Sequence, residues 1–381
     1  MTEIFLIIFF ISVLLFFLGS GIWVAISMIG VSTIGMMLFT SRPVGDAMAT
    51  TIWGTSSSWT LTALPLFVWM GEILFRTKLS ENLFAGLSPW MQKLPGGLIH
   101  VNVVGCALFA AISGSSAATV ATVGKMSIPE LRKRKYPEKI LLGSLAGSGT
   151  LGLLIPPSII LIIYGVTVQE SIAKLFIAGI IPGIMIALIF MSYVMIWSLI
   201  NKKSMPKYVE NFSFLEKIRK SKQLLPVIIL ISAIIGSIYT GVATATEAAS
   251  LGVVGALILS YFQKSLTIET FKQSLLGATK TSCMIAFILA GSTFLSLAMG
   301  FTGLPRNLAI WIQNMELSPY VLIFVLMIFY IILGMFLDGI SAVVLTMAII
   351  EPMIRQAGFD MIWFGIFLVI VVEMAQITPP V

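Results

Sequence analysis

The second half of this chain repeats the pattern of polar breaks and apolar segments found in its first half. Three pairs of residues give shifts of 222, 225 and 223 residues: Gly19 with Gly241, Gly114 with Gly339, and Pro156 with Pro379. Internal symmetry with broken apolar segments at corresponding places is typical of secondary transporters built from repeats. The pattern therefore predicts two related halves, residues 1–200 and 224–381, joined by a basic linker at 201–223.

The composition places both halves in a membrane. Hydrophobic residues make up 58% of the chain and charged residues only 10%, whereas about 25% of the residues in a soluble domain are charged. This indicates an all-α, polytopic membrane protein. Cys106 and Cys283 both lie in apolar runs and His100 is the single histidine, so neither a disulfide framework nor a thiolate or imidazole metal centre is expected. No cofactor is predicted.

Apolar segments long enough to cross a bilayer alternate with shorter, interrupted ones. The first half has five predicted spans: Ile4 to Leu18, Ile22 to Phe39, Thr51 to Phe75, a broken helix at 140–166, and Leu175 to Ile200. Residues 98–128 instead form two short apolar legs around a serine-rich break, which predicts a re-entrant helical hairpin. An odd number of spans makes the second half enter the membrane from the opposite side. The repeats are therefore predicted to be inverted, with a second hairpin at 320–350 and a second broken helix from 361.

The distribution of basic residues predicts the orientation, because cytoplasmic loops are enriched in Lys and Arg. Four segments hold 17 of the 23 basic residues: 76–95, 130–139, 201–223 and 263–273. We expect these segments to be cytoplasmic, which places the N-terminus in the periplasm of a bacterial inner membrane. The first hairpin is then cytoplasmic and the second periplasmic. The net charge of +7 follows from this topology and does not indicate a nucleic acid partner.

The second half stops earlier in the repeat than the first. Val381 directly follows Thr378-Pro379-Pro380, whereas the corresponding break in the first half is followed by the rest of its helix and by another span. The repeat shift predicts about 40 further residues. The C-terminus is therefore expected to be truncated.

Interrupted helices at membrane depth are candidate ion sites, because unpaired backbone groups there must line a cavity or be buried in protein. We expect the tip of the first hairpin to meet the break in the helix at 140–166. The predicted members of this first site are Ser113, Gly114, Ser115, Ser116, Thr119, Gly149, Thr150 and Pro156. Their hydroxyl and carbonyl oxygens suit sodium, and half-helix N-termini at the same depth suit an anion. The alternatives are small-residue helix packing at the tip and a surface turn at the prolines.

Symmetry predicts a second site in the second half, with a carboxylate in place of a hydroxyl. Its predicted members are Asp338, Gly339, Ser341, Gln376, Thr378 and Pro379. Three further acidic residues lie within apolar segments and are functional candidates for that reason: Glu72, Glu247 and Glu373. For Glu247 the alternative is a cap on the helix that starts beside it.

Taken together, these motifs resemble the large membrane subunit of the tripartite ATP-independent periplasmic (TRAP) transporters. The resemblance covers the whole chain, and its motifs are the serine-rich stretch 113–122, Leu154-Ile155-Pro156-Pro157-Ser158, Thr246-Glu247-Ala248-Ala249, Leu337-Asp338-Gly339, and Glu373 to Pro380. It implies sodium-driven uptake of an organic acid delivered by a periplasmic substrate-binding protein. It also implies a small four-helix membrane subunit as partner and an elevator motion like that of the ion-transporter superfamily. Two residues depart from the family pattern: Ala245, where proline is usual, and Glu72, where asparagine is frequent.

Other functions fit parts of this pattern. A stand-alone sodium/dicarboxylate symporter would share the architecture but need no binding protein. A membrane-embedded hydrolase would need a base beside the serine-rich tip, where neither histidine nor lysine is placed. ATP-driven transport is not favoured, because the chain has no Gly-x-x-x-x-Gly-Lys-Ser/Thr sequence. Sialic acids, C4-dicarboxylates and other carboxylates all fit as the substrate.

Overall fold

The computed structural model describes residues 3–77, 79–206, 212–305, 307, 310, 318–335 and 337–378. Within these residues the regular secondary structure is entirely helical. Five of their helices are long and apolar enough to cross a membrane by length and composition, and the number rises to seven if each of two bent pairs counts as one span. The chain is therefore an all-α, multi-pass membrane protein, as its composition predicts.

The helices follow one another along the chain, most of them separated by only a few residues. The first half contains Glu3–Gly19, Val24–Phe39, Val44–Ser56, the 3₁₀ helix Trp59–Thr62, Ala63–Phe75, Leu79–Met91, Ile99–Ser113, Ser116–Lys133, Glu138–Gly149, Leu151–Leu154, Ile159–Thr167 and Ile172–Ile200. The remainder contains the 3₁₀ helix Lys202–Ser204, then Phe214–Ser221, Leu225–Tyr239, Ala245–Phe262, Ile268–Thr302, Pro319–Gly334, Gly339–Gln356 and Met361–Gln376.

The chain divides into two compact units. The first unit takes its described residues from 1–62, 162–171 and 281–381, and the second takes them from 63–161 and 172–280. Met36, Phe294 and Ala298 form a buried cluster in the first unit. In the second unit, a buried cluster combines residues of the first hairpin with residues of the helices Glu138–Gly149 and Ile172–Ile200: Ile99, Val103, Ile140 and Val194.

Both helical hairpins extend further than the sequence predicts. The legs of the first are Ile99–Ser113 and Ser116–Lys133, and those of the second are Pro319–Gly334 and Gly339–Gln356. Each second leg runs on as helix past the predicted hairpin end, 128 or 350, through a proline: Pro129 in the first hairpin and Pro352 in the second. A proline removes one helical hydrogen bond but does not oblige the helix to end when its neighbours maintain the rest.

The predicted span from Thr51 to Phe75 is not one straight helix: it falls on a pair of helices bent by 52° that count as one span only if taken together. One helix ends at Ser56, and a 3₁₀ turn over Trp59–Thr62 precedes the next helix. The interruption falls on a run of hydroxyl side chains, which compete with the backbone for hydrogen bonds and so weaken a helix. None of the described residues of Val44–Ser56 is buried.

In the first unit, the end of the interrupted helix of the first half packs on helices of the second half. The Tyr164 hydroxyl donates a 2.6 Å hydrogen bond to the Met361 carbonyl. Arg355 Nη2 donates to the Val168 carbonyl at 3.1 Å and lies 3.8 Å from a Glu170 carboxylate oxygen. These contacts join residues 162–171 to the second hairpin and to the last described helix.

Candidate functional site

The tip of the first hairpin is a tight reversal made by glycine and serine. Gly114 has a φ of 59° and closes the first leg, with its N–H donating to the Ala110 carbonyl at 3.1 Å. This left-handed conformation is comfortable for glycine and strained for other residues. Ser115 is extended and caps the second leg, because its Oγ accepts a 3.4 Å hydrogen bond from the Ala118 N–H. The chain thus reverses within two residues.

Hydroxyl groups cluster behind this reversal. The Ser113 Oγ and Thr119 Oγ1 atoms are 2.8 Å apart, and both residues are buried. The Thr119 hydroxyl donates to the Ser115 carbonyl at 2.8 Å. Two hydroxyl oxygens and a carbonyl oxygen therefore lie together at the tip without any formal charge, and oxygens of this kind can bind a hard monovalent cation.

The first broken helix is interrupted between Leu154 and Ile159. Pro156 and Pro157 have no N–H, so the carbonyls of the two residues four positions earlier lose their usual helical partners. One of those carbonyls, at Leu153, accepts a short hydrogen bond from Ser158 Oγ. A serine side chain therefore satisfies part of the backbone that the prolines leave unpaired.

The hairpin tip and this helix break are in direct backbone contact within the second unit. The Ile159 N–H donates to the Gly114 carbonyl at 3.2 Å. A Cβ atom placed on Gly152 would lie 2.6 Å from the carbonyl carbon and oxygen of Ser115, and one placed on Gly114 would lie 2.7 Å from the Pro157 carbonyl oxygen. Because neither position has room for a methyl group, glycine at both is what lets the two backbones touch.

The other predicted members of the first site shape its surroundings. A Cβ atom on Gly149 would overlap the Val120 side chain of the second leg. Thr150, which follows the helix Glu138–Gly149, donates its hydroxyl to the Gly147 carbonyl of that helix at 2.7 Å. Pro156 packs towards Gly179 of the helix Ile172–Ile200. Ser116 begins the second leg.

Several residues of this contact were not among the predicted site members. Besides Gly152 and Ser158, a Cβ atom on Gly71 would lie 3.2 Å from the Cα and carbonyl oxygen of Ser113. Gly179 and Gly183 face the break from the helix Ile172–Ile200, against the Leu154 carbonyl and the Ile155 side chain respectively. Their spacing is the Gly-x-x-x-Gly pattern of close helix packing in membranes, which was a usable signal in the sequence.

At the tip of the second hairpin, Asp338 acts as a helix cap. Its Oδ2 accepts a 3.1 Å hydrogen bond from the Ser341 N–H, and Gly339 begins the helix. Asp338 is exposed, whereas Ser341 is 1% exposed. Among the described residues, the Ser341 Oγ has no hydrogen-bond partner. The tip therefore combines an exposed carboxylate with a buried hydroxyl whose hydrogen-bonding capacity is not used by the described residues.

The second hairpin meets the last described helix, Met361–Gln376, near its C-terminal end. A Cβ atom on Gly334 would lie 2.6 Å from the Ala375 Cβ atom, one residue before Gln376. Thr378 donates its hydroxyl to the Met374 carbonyl at 2.8 Å. Pro379, the remaining predicted member of the second site, lies outside the described residues.

The three other acidic candidates differ in their surroundings. Glu72 forms a 2.8 Å ion pair with Arg76, four residues along the same helix. Glu247 is exposed and forms a capping box with Thr244, whose N–H donates to its carboxylate at 2.8 Å. The alternative interpretation of Glu247 as a helix cap therefore describes its structural role. Glu373 is buried, at 4% exposure, in the helix Met361–Gln376.

Comparison with known proteins identifies the family. Residues 10–381 match the model of the DctM component of the tripartite ATP-independent periplasmic transporters. The chain is 33% identical to the C4-dicarboxylate TRAP transporter large permease protein DctM of Pseudomonas aeruginosa, over 91% of this chain and 80% of that protein. It is 30% identical to the isethionate TRAP transporter permease protein DctMQ of Oleidesulfovibrio alaskensis, over 96% of this chain and 57% of that protein.

A solved structure agrees with the fold. MtrF of Neisseria gonorrhoeae, described as illuminating a class of antimetabolite efflux pumps, superposes with a TM-score of 0.50 at 14% identity, over 89% of this chain and 75% of that one. At this identity the likeness concerns the fold alone. The sequence relatives are named as transporter permeases, which excludes the hydrolase alternative. The chain therefore belongs to the DctM family, the large permease subunits of the TRAP transporters for organic acids.

Proposed function

We propose that this chain is the sodium-coupled membrane subunit of a TRAP transporter that imports an organic acid. The observation that carries the proposal is the backbone contact between the serine-rich tip of the first hairpin and the break at 155–158. Interrupted helices that meet at one point are where secondary transporters hold substrate and coupling ions. The hydroxyl and carbonyl oxygens at this contact support sodium as the co-transported ion.

The same contact suits an anionic substrate. The helices Ser116–Lys133 and Ile159–Thr167 both begin there, and the N-terminus of a helix carries a partial positive charge and unpaired N–H groups. The relatives named for a C4-dicarboxylate and for isethionate support a small organic anion as the substrate class. A carboxylate placed at these helix starts would be stabilised next to the sodium ion.

The proposal includes a second ion site at the second hairpin. The buried Ser341 hydroxyl and the Asp338 carboxylate support this site. Gln376 ends the last described helix and Thr378 follows it, and the sequence repeat adds Pro379 as a member of the proposed site. Together with the sequence symmetry, the two hairpins support inverted repeats with re-entrant hairpins. We further propose that the hairpins and interrupted helices move as a block, in an elevator mechanism that carries substrate and sodium across the membrane.

The partners follow from the same proposal. A periplasmic substrate-binding protein would deliver the organic acid, and a small four-helix membrane subunit would complete the transporter. The tripartite nature of the family and the relative named DctMQ support this assembly. The basic segments at 130–139 and 201–223 support an inner-membrane topology with a periplasmic N-terminus.

The proposed function is tested by uptake in proteoliposomes containing this chain and its small membrane subunit. We expect accumulation of the organic acid only with an inward sodium gradient and only when the binding protein is present. Replacing Ser115 or Ser116 with alanine should raise the sodium concentration for half-maximal uptake several-fold. Ser192→Ala is the control, because that exposed serine donates only to its own helix, at Leu188.

Each arm of this experiment has a contradicting result. Equal uptake from choline or potassium buffer would rule out sodium coupling. Full uptake without the binding protein would favour the stand-alone symporter. A serine variant that loses protein abundance in proportion to uptake, with an unchanged sodium dependence, would show that these serines only pack the hairpin.

A further inference from the structure

The second unit contains a cavity of about 1000 Å³ that the proposed transport mechanism does not use. Three segments line it: residues 92–98, which precede the first hairpin; residues 130 and 133–136, which follow it; and Met205 with Pro206. The cavity is therefore built by loops and helix ends, and it lies apart in sequence from the hairpin tip at 113–116.

The lining lies beside the ends of two helices that are long and apolar enough to cross a membrane. The candidate membrane span Glu138–Thr167 begins two residues after Tyr136, and the candidate span Ile172–Ile200 ends five residues before Met205. A cavity lined at the ends of two spans lies at the depth of lipid headgroups.

Positive charge surrounds the cavity. Lys93, Lys133, Arg134 and Lys135 line it together with one acidic residue, Glu130, which leaves an excess of three positive charges. The Arg134 Nε and Glu130 Oε2 atoms are 3.6 Å apart, so these two charges partly neutralise each other. The three lysines are exposed. A phosphate group entering the cavity would be attracted by several cations at once.

Part of the lining is apolar and continues into the protein interior. Tyr136 and Met205 line the cavity and also pack against the buried cluster of Ile99, Val103, Ile140 and Val194. The Tyr136 hydroxyl accepts a 3.0 Å hydrogen bond from the Leu98 N–H. Burial raises the pKa of Tyr136 above its ordinary range, so the phenol stays protonated, as tyrosine already is at neutral pH, and its proton is available to a hydrogen-bond acceptor.

Glycine at position 97 makes this arrangement of the tyrosine possible. A Cβ atom there would lie 2.5 Å from the Tyr136 hydroxyl oxygen, and Gly97 has a φ of 54°. The phenol is thus held against the loop backbone. The lining therefore presents cations, a phenolic hydroxyl and an apolar surface, which matches an amphiphile with a negative headgroup better than a free anion.

We propose that this cavity binds the headgroup of an anionic phospholipid such as phosphatidylglycerol. The lysines contact the phosphate, and the apolar part of the lining contacts the glycerol and the first acyl carbons. The proposal depends on the membrane fold of the chain and not on sodium coupling, so its failure would leave the proposed transport function untouched.

The test is a lipid titration of the full chain, purified and delipidated in detergent, with native mass spectrometry and thermal stability as readouts. Phosphatidylglycerol should bind at least about tenfold more tightly than phosphatidylcholine. The double variant Lys133→Gln/Lys135→Gln should weaken phosphatidylglycerol binding by about tenfold. Lys202→Gln/Lys203→Gln removes the same charge from an exposed 3₁₀ helix and should change binding by less than about twofold.

Glu130→Gln provides a test of opposite sign. Removing the acidic residue from the lining should tighten phosphatidylglycerol binding, an outcome that a misfolded variant would not give. Inorganic phosphate and glycerol 3-phosphate serve as soluble control ligands, and both should bind far more weakly than the lipid. The proposal would be overturned if the two lipids bound equally well or if the two lysine pairs had equal effects. It would also be overturned if Glu130→Gln gave no gain in binding, or if glycerol 3-phosphate bound as tightly as the lipid.

Discussion

Replacing Gly152 with alanine is expected to lower sodium-driven uptake severely, whereas the same replacement at Gly143 should leave it intact. A Cβ atom at position 152 would lie 2.6 Å from backbone atoms of Ser115, which cannot rotate away as a side chain can. Overpacking of this kind typically costs about 1–3 kcal/mol, and here the cost falls on the contact that carries the proposed site. We expect at least about a tenfold loss of uptake per folded molecule.

Gly143 is a matched control on the preceding helix. It is exposed, and a Cβ atom placed there meets nothing within 4 Å. Alanine in a helix is favoured over glycine by about 0.5–1 kcal/mol, so this variant should be at least as stable as the parent. Full sodium-driven uptake by Gly152→Ala would show that the hairpin tip and the helix break need not touch for transport.

Gly114→Ala is expected to cause the second-largest loss of uptake. This loss has two possible causes, backbone strain and a steric clash, and Gly241→Ala distinguishes them. Both glycines have a positive φ, 59° and 72° respectively, so alanine is strained at either position. Only at Gly114 would the new methyl group also meet backbone, at 2.7 Å from the Pro157 carbonyl oxygen; nothing lies within 4 Å at Gly241.

The comparison is made on uptake and on thermal stability together. We expect Gly241→Ala to lose about 1 kcal/mol of stability or less, with uptake retained. Gly114→Ala should lose uptake, and sodium should no longer raise its thermal stability as we expect it to do for the parent protein. Similar losses for the two variants would mean that conformational strain alone explains the need for glycine at the hairpin tip.

The interruptions of helices were predictable where proline or glycine forces them. Pro156 and Pro157 remove backbone donors, and the left-handed Gly114 ends a helix, so both breaks follow from local chemistry. The cap at Glu247 was equally readable, because Thr244 three residues earlier completes a capping box. These features depend on neighbours within a few residues, which a sequence displays directly.

Boundaries that depend on packing were not predictable in the same way. Helices continue through Pro129 and Pro352, although proline is an ordinary signal for a helix end. The helix break at Ser57 and Ser58 has no glycine or proline to announce it. At the two prolines, packing elsewhere outweighs a weak local preference, whereas the break at Ser57 and Ser58 follows from a local run of hydroxyl side chains.

The candidate site shows the same division. The serine-rich tip and the proline break were expected to meet, and Gly114 was among the predicted residues, but Gly152, the second glycine that their contact requires, was not. A sequence shows where a glycine stands in the chain but does not show which other segment packs against it. Glu72 shows the same contrast between local and tertiary contacts. Its ion pair with Arg76 follows from their spacing of four residues on one helix. Its carboxylate also lies close to Gly277 of a helix distant in sequence, and this contact depends on the tertiary structure.

The most direct test of the central claim is hydrogen–deuterium exchange of the purified protein in sodium chloride and in choline chloride at equal ionic strength. If the tip and the break hold the coupling ion, peptides covering 113–119 and 150–158 should exchange more slowly in sodium. The exposed amphipathic helix Phe214–Ser221 should be unchanged. Equal exchange of the tip and the break in both salts, or sodium protection confined to other segments, would contradict the account.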